Sequence, residues 1–298
     1  MTLNIFAKLK SLFKEARPDG PHESHYSNGQ LKCKGTYKNK QHDGPYESYY
    51  ENGQLKAKGN YKDGAEDGFW KKHFEDGQLK FKGNYNNSSL DGIQEWFHKN
   101  GQLRERQTYK DGKKEGLWEL FYENSQLKSK GNYNNGARSG PFEIFYQNGQ
   151  LRSKGNHNKD KRDGPYESYH ECSQLESKGN YKEGNRDGFW ESFHINSQLK
   201  SKGNYNTGKQ DACWEIFHEN GQLKSRGSYK NGKQEGLFEE FSEEGQLTVK
   251  ENYRNGNQDG PYESYDENGQ LKAKGAFTNG ELEGPIELYK DGVLQKTA

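Results

Sequence analysis

Long apolar runs are missing from this sequence, and none approaches the roughly 18–20 residues that a membrane-spanning helix requires. Apolar residues are scarce throughout, at 28% against 30% charged, a balance that leaves too little hydrophobic surface for a large globular interior and ordinarily marks disorder. An excess of one charge is missing too. The 45 basic and 44 acidic side chains are interleaved, which excludes the one-signed stripe by which nucleic-acid binders track phosphates. Cysteine is nearly absent: Cys33, Cys172 and Cys213 form an odd trio without metal or disulfide spacing. They read as reduced thiols, and the expected location is cytoplasmic.

What is present is a repeat. A 24-residue phrase close to D-G-P-Y-E-S-Y-Y-E-N-G-Q-L-K-S-K-G-N-Y-K-D-G-x-x has its opening glycine at 20, 44, 68, 92, 116, 140, 164, 188, 236, 260 and 284, with Ala212 in the one vacant position. A fixed period in the 20–50 range signals stacked units. Aromatics make up 13% and recur at fixed positions, so the chain is expected to fold despite its polarity.

The unit from Gly44 shows why the phrase reads as a hairpin. Asn52-Gly53 lies between two Tyr-rich segments, the strongest short signal for a two-residue type I′ turn. With that turn, Tyr50 faces Leu55, Tyr49 faces Lys56, Ser48 faces Ala57, Glu47 faces Lys58 and Tyr46 faces Gly59. Opposite charges across strands contribute on the order of 0.2–1 kcal/mol. An aromatic ring can lie over a strand glycine, where no side chain competes for space. In the unit from Gly92, Gln94 replaces the ring and Gln107 the glycine opposite it, whereas Phe238 faces Glu251 with no sequence rationale. Side chains alternate between faces. One face therefore collects Tyr46, Tyr50, Leu55 and Tyr61, and the other Glu47, Tyr49, Lys56 and Lys58.

The expected fold is all-β: an elongated single-layer antiparallel sheet of about twelve 24-residue hairpin repeats over residues 18–298. A short N-terminal amphipathic α-helix over 1–17, with Ile5, Phe6, Leu9, Leu12, Phe13 and Ala16 at helical spacing, would cap the first edge. Docking of that helix on a membrane surface is the less favoured role. Lys8 and Lys10 interrupt its apolar run, so it is not read as a signal peptide.

The pattern G-x-[WFY]-x-x-[YF], N-G-Q-L and G-x-Y-x-x-G resembles the MORN-repeat variant family, specifically its YwqK-type bacterial antitoxin group. It stands here as Gly188-Phe189-Trp190-Glu191-Ser192-Phe193, Gly221-Gln222-Leu223 and Gly227-Ser228-Tyr229-Lys230-Asn231-Gly232, and it covers about residues 18–294. Ser125, Ser173 and Ser197 depart from it where a turn glycine is expected. The resemblance implies hairpin units in an extended sheet. It also implies a protein-binding role, often as the neutraliser of a toxin encoded beside it.

Catalytic chemistry finds no foothold. The Glu column recurs in nearly every unit and is matched by Lys or Arg, whereas catalysis needs one distinctive desolvated constellation. His98, His170, His194 and His218 share one position, but equivalent residues two strands apart are roughly 9–10 Å from each other, too far for a common metal. Neither enzyme activity, nor a cofactor, nor a metal site is expected. Trp70, Trp96, Trp118, Trp190 and Trp214, with His170, His194 and His218, are the candidate partner-binding residues, since Trp and Tyr are favoured interface anchors. Set against this is the role of rings that merely cover glycines and cement strands. The expected partner is a protein, a toxin first among them; a structural or membrane-associated scaffold is the alternative.

Overall fold

The computed structural model describes residues 19–297, in which all regular structure is β-strand. The helix expected over 1–17 lies outside these residues. The chain divides into two compact units, Met1–Arg138 and Ser139–Ala298. In the first, antiparallel strands run from Gly20–His25 to Leu127–Asn134, followed by the short strand Ala137–Arg138. In the second they run from Gly140–Phe145 to Val293–Thr297. Within each unit the strands pair with their sequence neighbours, so chain order and sheet order coincide.

The inner part of the expected register holds. In the hairpin of Gln41–Tyr49 and Leu55–Lys62, Ser48 pairs with Ala57, Glu47 with Lys58, Tyr46 with Gly59 and Gly44 with Tyr61. Towards the turn it slips, because Tyr49 pairs with Leu55 and Lys56 is left over as a bulge. The cause is the turn itself. Tyr50 N–H donates to Gln54 O at 2.8 Å and Gly53 N–H to Tyr50 O at 2.9 Å, closing a three-residue loop. Only Gly53, at φ 84°, is left-handed, as in a type I turn with a following glycine bulge, not the type I′ turn expected. The type I′ turn lies at the other end. Lys62 pairs with Ala65 across Asp63 (φ 47°) and Gly64 (φ 84°), joining one hairpin to the next. Where serine replaces the loop glycine, the loop survives: Ser125, Ser173 and Ser197 all sit at φ 68°, and each N–H keeps its bond to the residue three before it, at 2.8–3.0 Å.

The rings of Trp70, Trp190, Trp214 and Phe238 rest on the preceding hairpin, not on the residue opposite them in their own. A Cβ added at Gly59 would lie 2.2 Å from Trp70, one at Gly179 2.3 Å from Trp190, one at Gly203 2.3 Å from Trp214 and one at Gly227 2.4 Å from Phe238. Each ring therefore lies over the glycine of the preceding hairpin. Its indole N–H donates backwards as well, Trp70 to Asn60 O (3.1 Å), Trp190 to Asn180 O (3.0 Å) and Trp214 to Asn204 O (3.0 Å). This accounts for Phe238: the residue opposite can be Glu251 because the ring rests on Gly227. The Gln pair follows the same rule. Gln94 fills the space above Gly83, and Gln107 occupies the place where Trp118 would rest, so Trp118 turns to Gly131 in its own hairpin.

Candidate interaction surface

The first side chain after the opening glycine points away from the glycine-ring layer, onto the charged face. Phe69, Ile93 and Leu117 occupy this position in three consecutive hairpins of the first unit and are 50%, 58% and 48% exposed. In the second unit Phe189, Cys213 and Leu237 do the same, again in succession and all exposed. Neighbouring members of a row are two strands, roughly 9–10 Å, apart. The opening glycine creates the geometry. Gly68 has φ 69° and sits in a bulge, with the register of Asn60–Asp67 and Lys58–Lys71 shifted around it. The strand restarts there with its first side chain outward and its second, Trp70, inward.

Alongside each apolar row runs an ion-pair ladder. Glu47 accepts from Lys34 of the preceding hairpin at 2.8 Å and from Lys58 of its own at 2.9 Å. Arg106 bridges Glu95 (2.9 Å) and Glu119 (3.2 Å). In the second unit Lys178 meets Glu191 and Lys202 meets Glu215, both at 2.7 Å. Hydrogen bonds from Lys34, Tyr49 and Lys58 hold the Glu47 carboxyl down at about 2. Desolvation pushes Glu95 up, but Lys82 and Arg106 outweigh it and leave its carboxyl below the usual range. Glu167 is lowered by Tyr169 and Lys154. The ladder breaks at Lys71, which pairs in register with Lys58 and Lys82. Beyond the ladder lies a row of rings under cations, including Lys178 over Phe193 (5.8 Å), Lys202 over Phe217 (5.5 Å) and Arg226 over Phe241 (5.7 Å).

The residues singled out from sequence lie elsewhere. Trp70, Trp190 and Trp214 are 1%, 3% and 6% exposed, while Trp96 and Trp118 are half-buried. Trp190 and Trp214 share the ring of Tyr205, at 6.2 and 5.0 Å. His170, His194 and His218 each direct Nε2 at a backbone carbonyl of the next hairpin: Phe193 O (3.2 Å), Phe217 O (3.1 Å) and Phe241 O (3.0 Å). His98 does the same to Phe121 O (3.1 Å). Because a carbonyl only accepts, Nε2 carries the proton in all four. Tyr26, Tyr50 and Tyr146 do the same job with a hydroxyl, each at 2.8 Å. The exposed rows escaped the sequence reading, although one signal was available. The position lies two residues before the Glu column, so strand alternation puts it on the charged face.

No curated protein matches the chain. Among solved structures it is similar to TcdB2-TccC3 (10% identity, TM-score 0.19, 92% of this chain and 17% of that one) and to TcdB2-TccC3-Cdc42 (11%, 0.18, 90% and 15%). The chain thus spans less than a fifth of those structures. The MORN repeat variant model matches ten segments: 18–39, 43–63, 66–87, 90–111, 114–135, 138–159, 162–183, 210–231, 234–255 and 258–279. This corrects the expected count of about twelve. The stretch 186–207, whose loop reads Ile195-Asn196-Ser197, and the shortened last hairpin, where Glu287 pairs with Thr297 instead of a cation, fall outside the matched set. The ten segments cover well over half of the sequence, and the chain belongs to the MORN repeat variant family.

Proposed function

We propose that this chain is a non-enzymatic, cytoplasmic protein-binding repeat protein, an antitoxin or immunity protein of the YwqK type that neutralises a toxin by direct binding. The observation that supports this most is the exposed apolar row on an otherwise charged face. Phe69, Ile93 and Leu117 stand in succession at 48–58% exposure, the last two beside the Glu95–Arg106–Glu119 ion pairs and Phe69 beside Lys71, where the ladder breaks. Large apolar side chains in a regular row leave surface that a partner protein can cover. Burying one such side chain completely yields about 1.5–3 kcal/mol, proportionately less from half exposure. The ladder cations and carboxylates at the row's margin then select among partners. Contact falls on the exposed neighbours of the tryptophans, while Trp70 in the first unit, and Trp190 and Trp214 in the second, hold their own rows in place from behind.

The test is co-expression with the product of the adjacent gene, followed by gel filtration of the pair. A stable complex and relief of toxicity are expected. The combined change Phe69→Ser, Ile93→Ser and Leu117→Ser should weaken the complex at least about tenfold, or about 1.4 kcal/mol, with an unchanged far-UV CD spectrum. Toxicity that persists with the unaltered chain would sink the antitoxin reading. A complex indifferent to the triple change would move the contact to another surface.

A further inference from the structure

The glycine-ring face of the second unit carries a recess that the protein-binding reading leaves unused. It has a volume of about 490 Å³. Its floor is hydroxyl-lined: Ser168 Oγ and Ser177 Oγ are 2.7 Å apart, Ser192 Oγ and Ser201 Oγ 2.6 Å, and Ser153 and Ser168 are buried. Four cations line it, Arg152, Arg162, Arg186 and Lys200, against the single carboxylate of Glu176. The two inner arginines are held rigidly. Arg162 stacks on Tyr166 (4.9 Å) and Tyr181 (5.3 Å) and donates Nη1–H to Tyr181 Oη at 3.2 Å. Arg186 stacks on Trp190 (4.4 Å) and Tyr205 (5.3 Å) and donates to Tyr205 Oη at 3.0 Å. Among the described residues neither guanidinium has a carboxylate partner, unlike the cations of the ladder face.

The equivalent place in the first unit shows that this is not a property of every hairpin. There Lys72, Phe81 and Trp96 stand where the second unit has serines, and Lys72 is neutralised by Glu66 at 3.1 Å. The second unit instead has small hydroxyls below and two preorganised, unneutralised guanidinium groups beside them. A planar guanidinium fork matches a carboxylate, and one held by stacking loses little entropy on binding it.

We propose that this recess binds an acidic peptide segment in polyproline II conformation that crosses the strands and presents carboxylates at every third residue. Spacing selects this ligand. Arg162 and Arg186 occupy the same position in consecutive hairpins, two strands or about 9.6 Å apart. Polyproline II rises about 3.1 Å per residue, so side chains at i and i+3 lie on one side about 9.3 Å apart. Each serine pair keeps one hydroxyl proton and free lone pairs that can satisfy the segment's backbone groups. Because this surface is not the exposed apolar row, the proposal does not depend on the antitoxin reading.

The experiment is fluorescence anisotropy on the full chain with a labelled peptide of repeated Glu-Pro-Pro triplets. The comparator has the same composition with its glutamates contiguous. The triplet peptide should bind at least about tenfold more tightly, a difference of about 1.4 kcal/mol. Arg162→Gln and Arg186→Gln should each abolish that preference, while Lys56→Gln, in the first unit, should not. Arg152→Gln and Lys200→Gln, at exposed rim positions, provide a second reading should the stacked variants lose their native CD spectrum. Equal binding of the two peptides, displacement of both by inorganic phosphate at equal concentration, or indifference to all four substitutions would overturn the proposal.

Discussion

At the scale of single residues the repeat is governed by where the backbone turns left-handed. The opening position of each hairpin takes φ between 65° and 119° wherever it is glycine, and Ala212 is forced to 59° in the same place. An L-residue with a Cβ pays roughly 1–2 kcal/mol for that region. Its mate on the following strand, Tyr229, constrains the bulge, so Ala212 cannot relax to an ordinary φ without breaking the pairing. Ala212→Gly should therefore raise stability by about 0.5–1 kcal/mol, the steric relief being partly offset by the greater freedom of unfolded glycine. A thermal melt would show it; an unchanged or lower midpoint would mean that the alanine carries no strain.

At the scale of the hairpin, charge pairing is the element that pH can address. The Glu47 carboxyl lies at about 2 when folded because Lys34, Tyr49 and Lys58 all donate to its charged form. An unfolded Glu titrates near about 4.3. The folded value is the lower one, so the contribution to stability is fully present above about 4.3 and is lost as pH falls towards about 2. Glu47→Gln should cost stability at neutral pH, and the loss should shrink steadily across that acid window. Urea midpoints measured from pH 7 down to 2.5 would reveal it, and a pH-independent difference would discount the ladder. This pairing is legible in the sequence, because Glu47–Lys58 and Tyr46–Gly59 are complementary partners in only one register. The loop is not. Asn52-Gly53 and Asp63-Gly64 are both good type I′ sequences, and only the bulge at Lys56 decides which of them adopts it. Nor can the register within one hairpin show that a ring reaches back to the previous one, since Trp70 faces Gly83 across its own hairpin yet rests on Gly59. The exposed rows are hidden for a related reason: Phe69 and Trp70 are equally apolar, and only the bulge at Gly68 sends one outward and one inward.

At the scale of the molecule these backward contacts decide how stability is shared. In the second unit Trp190 seals Gly179, Trp214 seals Gly203 and Phe238 seals Gly227, while His170, His194 and His218 each bind the hairpin that follows. Each of these hairpins is thus completed by its two neighbours, the condition for nearest-neighbour behaviour in repeat proteins. A disturbance should then fade along the chain instead of weakening the whole unit uniformly. Gly203→Ala is a suitable one, since its added Cβ would meet the Trp214 ring at 2.3 Å and overpacking costs about 1–3 kcal/mol. Hydrogen exchange followed by mass spectrometry should show the largest loss of protection in Leu199–Asn206 and Lys209–Phe217. The loss should be smaller in Asn185–Phe193 and Leu223–Lys230 and slight by Leu247–Arg254. An equal loss in all of these strands would mean that the unit opens as a single cooperative block. In that case the ring-over-glycine contacts would not be the joints along which its stability is divided.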